Sequence, residues 1–188
     1  MIFTIREVID VLVMTAVVGY IFMDLFRLKK KIQRPTFKLK LPSFTFDWQA
    51  FKFACMITAP ALVLHELAHK FVAISYGLQA SFHAAYLWLG LGIIMKLLYL
   101  PFVFFVPAYV SIDGGTLTAT QTGVIAFAGP AVNLLLTILA SWGLKQPRLS
   151  RRKFALLFLT KQINLFLFIF NMLPIPYFDG AKVFDALF

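Results

Sequence analysis

Hydrophobic residues fill four long stretches of the chain, and shorter polar or basic segments separate them. These apolar stretches cover residues 5–28, 48–76, 121–144 and 154–173. A helix needs about 20 mainly apolar residues to cross the hydrocarbon core of a bilayer. The pattern therefore predicts four membrane-spanning helices within a single membrane-embedded domain that covers residues 1–188.

Residues 84–110, between the second and third predicted spans, follow no single pattern. The part at 87–100 is apolar with one charge, which is typical of a helix, whereas 102–106 is β-branched and aromatic, which is typical of a buried strand. We therefore expect either a re-entrant helix or a β-hairpin, packed against protein or a cavity. The predicted fold class is an all-α polytopic membrane protein with small membrane-associated β elements.

The composition supports a membrane location and argues against nucleic acid as a partner. Hydrophobic residues make up 61% of the chain, against about 45–50% in soluble domains. The net charge of +10 is concentrated in two loops beside apolar spans, where basic residues orient helices and contact anionic lipid headgroups. We expect a multi-pass integral protein of the cell membrane, with the lipid bilayer as a partner and no nucleic acid. The sequence does not specify an oligomeric state.

The second predicted span contains the sequence His65-Glu66-Leu67-Ala68-His69. Residues four apart lie on one face of a helix, so His65 and His69 can place two imidazole nitrogens on one zinc ion. Glu66 would then lie beside the metal, where it can take a proton from a zinc-bound water. The alternative is a buried polar cluster without metal, although a histidine and a glutamate in an apolar span are costly without a partner.

A catalytic zinc ion commonly has three protein ligands and a water, so one ligand remains to be found. Asp179 follows two closely spaced prolines and precedes Gly180, a loop that can direct a carboxylate back toward a metal. Asp179 could instead cap the final helix, Asp185 would lie inside that helix, and His83 is more typical of a hydrogen-bonded histidine than of a ligand. We expect one Zn²⁺ per chain; this donor set would also suit iron(II), but the helical motif favours zinc.

Three segments of the chain resemble motifs of the site-2 protease family of intramembrane zinc metalloproteases. They are the H-E-x-x-H sequence at 65–69, the G-P-x-x-N sequence Gly129-Pro130-Ala131-Val132-Asn133, and the N-x-x-P-x-P-x-x-D-G sequence from Asn171 to Gly180. They occur in the family's order, and the resemblance extends over residues 48–188.

The resemblance implies a site-2-protease-like transmembrane core in which His65, His69 and Asp179 hold zinc. Glu66 would be the general base. Asn133 would hold the substrate backbone or the developing oxyanion, which needs a hydrogen-bond donor directed at the new charge. For Asn133 the alternative is a hydrogen bond between helices. Asn171 is expected to brace the proline-containing loop.

The implied function is hydrolysis of peptide bonds within or near transmembrane segments of membrane-protein substrates, as in regulated intramembrane proteolysis. Such a substrate helix must unwind to expose a peptide bond, and an edge strand could pair with the unwound segment. Residues 102–110 are the predicted edge. The alternative is a non-catalytic membrane zinc-binding protein, namely a transporter, a sensor or a degenerate protease.

Overall fold

The computed structural model describes residues 3–26, 46–100, 106–176 and 178–188, and the fold is mostly helical. The predicted basic loop at 27–45 lies outside the described residues. The elements, in chain order, are α1 (Ile5–Phe22), a 3₁₀ turn (Met23–Phe26), α2 (Trp48–Ser75), β1 (Gln79–Ala84), α3 (Tyr86–Leu97), β2 (Ala108–Asp113), α4 (Ala119–Leu144), α5 (Arg151–Asn171) and α6 (Asp179–Leu187).

Four of these helical segments are long and apolar enough to cross a membrane: Ile5–Phe26, α2, α4 and α5. This confirms the predicted class of helical membrane protein with a small β element. The starts of the helices follow from local capping. Asp47 accepts hydrogen bonds from two backbone N–H groups at the start of α2, and Thr118 forms a capping box at the start of α4.

Among its described residues, the region 84–110 contains the helix α3 and the beginning of β2, and the strand that pairs with β2 begins before this region. Strands β1 and β2 pair antiparallel, with Gln79 opposite Asp113 and Ala84 opposite Ala108, and α3 lies between them in sequence. Residues 101–105 lie outside the described residues, so the edge predicted at 102–110 is seen only in its later part. The described strand begins at Ala108 and continues to Asp113.

Helix α2 lies at the centre of the fold and contacts α1, α4 and both strands, while α4 packs in turn against α5 and α6. On one side of α2, apolar side chains of α1, α3 and the hairpin form a buried cluster around Met14, Val18, Phe82 and Leu89. On its other side, α4, α5 and α6 bring polar side chains toward residues 65–69.

Candidate metal centre

His65 and His69 lie one turn apart on α2, and their rings point to the same side of the helix. Their Nε2 atoms are 3.1 Å apart, and both side chains are buried. The spacing in the sequence predicts this arrangement, because residues i and i+4 are neighbours on a helix surface.

Asp179 joins the two histidines from the far end of the chain. Its Oδ2 atom lies 3.1 Å from Nε2 of His65 and 3.4 Å from Nε2 of His69. Gly180 makes this position possible, since a Cβ atom there would lie 2.5 Å from the backbone oxygens of Met172 and Leu173. The start of α6 can therefore lie directly against the end of α5.

The other ring nitrogens of the histidines are already occupied, which defines the state of the Nε2 atoms. Nδ1 of His69 lies 2.7 Å from the backbone oxygen of Ile125, which can only accept a hydrogen bond, so this nitrogen donates. Nδ1 of His65 likewise donates to Oδ1 of Asn133 over 2.6 Å. In neutral imidazoles both Nε2 atoms then carry lone pairs. Two such lone pairs and a carboxylate oxygen converge, an arrangement that a cation stabilises.

The orientation of the Asn133 amide follows from its own partners. Its Nδ2 group donates to the backbone oxygen of Ala61 over 3.1 Å and to Oδ1 of Asn164 over 2.9 Å. Asn164 in turn donates to the backbone oxygen of Thr160. Asn133 is fully buried and lies behind His65. Both of its amide hydrogens are donated to other groups of the protein.

Gly129 allows α4 to approach the histidines closely. A Cβ atom at this position would overlap Nε2 of His69 and would lie 2.7 Å from Nε2 of His65. The G-P-x-x-N sequence thus contributes twice to the site, because Gly129 leaves space for the imidazoles and Asn133 fixes one of them.

The three converging atoms have the spacing that zinc requires. Zinc binds nitrogen and oxygen at roughly 2.0–2.2 Å, so tetrahedral ligand atoms lie roughly 3.3–3.6 Å apart. The observed separations of 3.1, 3.1 and 3.4 Å are close to this range. Within the described part of the chain, His65, His69 and Asp179 form the one group of three such side chains that could hold a metal ion.

The charge of Asp179 depends on what the two Nε2 atoms hold. Burial raises the pKa of the Asp179 carboxyl group, but His65 and His69 outweigh burial and lower it when their Nε2 atoms are protonated. With lone pairs on these atoms, a bound metal ion would supply the positive charge instead and would keep the carboxylate ionised, the form that binds metal.

The cluster opens onto a cavity of about 700 Å³ between α2, α4, α5, α6 and β2. Glu66 lines this cavity beside the two histidines, as the sequence predicts for a general base. Asn171 and Lys182 also line it. The sequence alone places neither residue in the cavity, although both lie within ten residues of Asp179. The side chain of Asn171 makes no hydrogen bond to any described residue, so the expected bracing of the loop is not seen.

The remaining candidates lie away from the cluster. His83, on β1, has Nε2 3.0 Å from Oγ of Ser111 and Nδ1 3.8 Å from Oδ2 of Asp10. Asp185 is exposed on α6. The structure therefore brings together His65, His69, Asp179 and Glu66, places Asn133 behind them, and leaves His83 and Asp185 elsewhere.

Comparison with known proteins identifies a relative with matching chemistry. The chain is 32% identical over 181 residues to a protein of Methanocaldococcus jannaschii named "putative zinc metalloprotease", and the match covers 96% of this chain and 84% of the relative. No protein-family model and no solved structure matches the chain. The name of this relative and the cluster that could bind a metal together identify zinc as the cofactor. Identity at this level, over nearly the whole chain, shows that the protein belongs to the same family of zinc metalloproteases.

Proposed function

We propose that the protein is an intramembrane protease of the site-2 type, which hydrolyses peptide bonds within or near transmembrane segments of other membrane proteins. The observation that carries the proposal is the convergence of two imidazole lone pairs and a carboxylate beside Glu66, on helices long enough to span a membrane. His65, His69 and Asp179 would hold one zinc ion per chain. The site of action would be the cell membrane.

Each residue of the centre then has a defined task. When bound, zinc polarises water and the scissile carbonyl so that hydrolysis can proceed near neutral pH. Glu66, on the cavity wall, takes the proton of the attacking water and passes it to the leaving amine. Asp179 supplies a negative charge that partly balances the metal.

The oxyanion role expected for Asn133 stays a prediction, and its contacts favour a different task. Both of its amide hydrogens are donated to Ala61 and Asn164, and its oxygen receives Nδ1 of His65. We infer that Asn133 orients His65 for the metal, as outer hydrogen-bond partners of ligating histidines commonly do. Asn171, on the cavity wall, has an amide that is available to the substrate.

The two-stranded sheet provides a place for an unwound substrate. Residues of β2 line the cavity, among them Ala108, Tyr109 and Val110, whereas none of β1 does. In the described part of the chain the sheet has two strands, so β2 has an unpaired edge on the cavity side. A substrate segment that has left its helix could add to this edge through backbone hydrogen bonds.

The decisive experiment replaces Glu66 by glutamine and compares zinc content and cleavage in phospholipid vesicles. We expect Glu66→Gln to keep zinc while cleavage of a transmembrane substrate falls by about 10²–10⁴-fold, because the general base is lost. Asp185→Asn is the matched control, since it makes the same chemical change at an exposed position of α6.

Other outcomes would contradict the proposal in recognisable ways. Normal cleavage by Glu66→Gln would show that Glu66 is not the general base. Loss of zinc in this variant would indicate that Glu66 is itself a metal ligand. A wild-type protein that binds zinc but cleaves none of a panel of membrane-spanning substrates would instead indicate a non-catalytic zinc-binding protein, such as a transporter, a sensor or a degenerate protease.

A further inference from the structure

We propose that Lys182 determines substrate specificity by binding a carboxylate that the substrate brings into the cavity. The inference rests on the proposed proteolytic function and adds the chemical class of substrate. The carboxylate could be an acidic side chain near the scissile bond or the free C-terminus of a substrate chain.

Lys182 belongs to the same wall of the cavity as the metal centre. It lies three residues after Asp179 on α6, and residues three apart share one side of a helix. Lys182 and Glu66 both line the cavity, and the side chain of Lys182 is exposed. Its ammonium group is therefore available to a peptide bound in the cavity.

Lys182 lacks the close ion pair that two other lysines of the described helices form. Lys70 pairs with Glu7, and Lys96 pairs with Asp24 and also donates to backbone oxygens of α1. Lys182 makes neither a hydrogen bond nor an ion pair with any other residue that the structure describes. It is also the one lysine or arginine among the described cavity residues.

Two carboxylates of the centre line the cavity together with Lys182. Glu66 interacts electrostatically with Lys182, and Asp179 is in contact with both histidines. With zinc bound, the two charges of the ion would balance these two carboxylates, so the charge of Lys182 would remain. In a cavity of low dielectric an unbalanced charge interacts more strongly with an incoming ion than it would in water. A substrate carboxylate would satisfy it.

The test uses substrates that are identical except for one residue, which is Glu, Gln or Lys at successive positions on either side of the cleaved bond. When the varied substrate residue is the one that contacts Lys182, we expect the wild-type protein to cleave the Glu substrate roughly tenfold faster than the Lys substrate. Lys182→Glu should invert this ratio, and Lys182→Met should bring it close to one. A ratio measured within one variant cancels differences in folding or zinc content.

Two further conditions make the result specific. Lys145→Glu is the matched control, because Lys145 is an exposed lysine just after α4 and does not line the cavity; it should keep the wild-type ratio. Substrates with free and amidated C-termini distinguish a side-chain carboxylate from a terminal one. Zwitterionic phosphatidylcholine vesicles keep anionic headgroups from competing for Lys182.

Failure of the specificity role can be distinguished from failure of the proposed proteolytic function. A wild-type protein that cleaves the substrates without regard to charge, or a Lys182→Glu variant that slows all of them equally, would overturn the specificity role and leave proteolysis standing. A wild-type protein that cleaves none of them would refute the proposed function itself, and the inference with it.

Discussion

Two buried polar clusters lie at neighbouring positions of α2, and they balance their charges in opposite ways. At Lys70 the positive charge belongs to the chain, and it pairs with Glu7 of α1 inside the protein. At His65 and His69, immediately before it, two lone pairs and the carboxylate of Asp179 converge without a positive charge of their own. The first cluster is complete as folded, whereas the second requires a cation.

The completeness of the first cluster is visible in the contacts of Glu7. One carboxylate oxygen receives Nζ of Lys70 and the backbone N–H of Phe82, the latter over 2.7 Å, and the other receives the backbone N–H of Thr4 over 2.8 Å. These bonds tie α1, α2 and β1 together. Buried charge alone therefore does not mark a functional site; the metal centre differs because the described residues leave its charge and lone pairs unbalanced.

The largest expected effect comes from removing a donor of the unbalanced cluster. Asp179→Ala should lower zinc from about one per chain to a small fraction and should abolish cleavage, because two histidines alone bind the ion weakly. Metal analysis of the purified protein, beside the cleavage assay, measures both. Asp185→Ala, in the same helix, is the control. Unchanged zinc in Asp179→Ala would mean that the third ligand lies elsewhere in the chain.

The next effect is expected at the balanced cluster and concerns stability. Lys70→Ala leaves Glu7 buried without its partner, which costs about 3–5 kcal/mol, and it should lower the unfolding temperature whether or not zinc is present. The double variant Glu7→Gln/Lys70→Met, which removes both charges, should recover much of this loss. A Lys70→Ala protein as stable as the wild type would show that the pair contributes little.

A smaller effect is expected behind the proposed metal ligands. Asn133→Ala removes the acceptor of the His65 N–H group and should weaken zinc binding by about 10–100-fold. Asn164→Ala, one hydrogen bond further away, should weaken it less. Titration with a competing chelator measures the affinity. If Asn133 serves the oxyanion instead, zinc affinity would stay unchanged while the cleavage rate at saturating zinc falls.

The sequence predicted those features that depend on neighbouring residues. Hydropathy indicated the spanning helices, and the four-residue spacing indicated that His65 and His69 face one ion. Asp47, a residue type that favours helix starts, caps α2. For Asp179 the local pattern left a capping role open, and only the resemblance favoured a ligand.

The features that the sequence did not predict join residues far apart in the chain. Glu7 and Lys70 are 63 residues apart, and Asn133 and Asn164 are 31 apart. A hydrogen bond between helices was one of the two roles predicted for Asn133, but nothing in the local periodicity selects the partner of any of these residues. The region 84–110 was uncertain because α3 and the start of β2 are both apolar, so hydrophobicity could not separate them.

The hydrogen bond from Phe82 to Glu7 affects which edge of the sheet is open to another strand. Phe82 pairs with Val110 across the hairpin, but its N–H group is directed to the carboxylate of Glu7 and is thus withdrawn from any further strand. Unprotected strand edges invite unwanted pairing, and here the side chain of another element protects the outer edge of β1. A strand that added to β1 would have to displace the carboxylate of Glu7, whereas β2 faces the cavity that contains the proposed metal ligands.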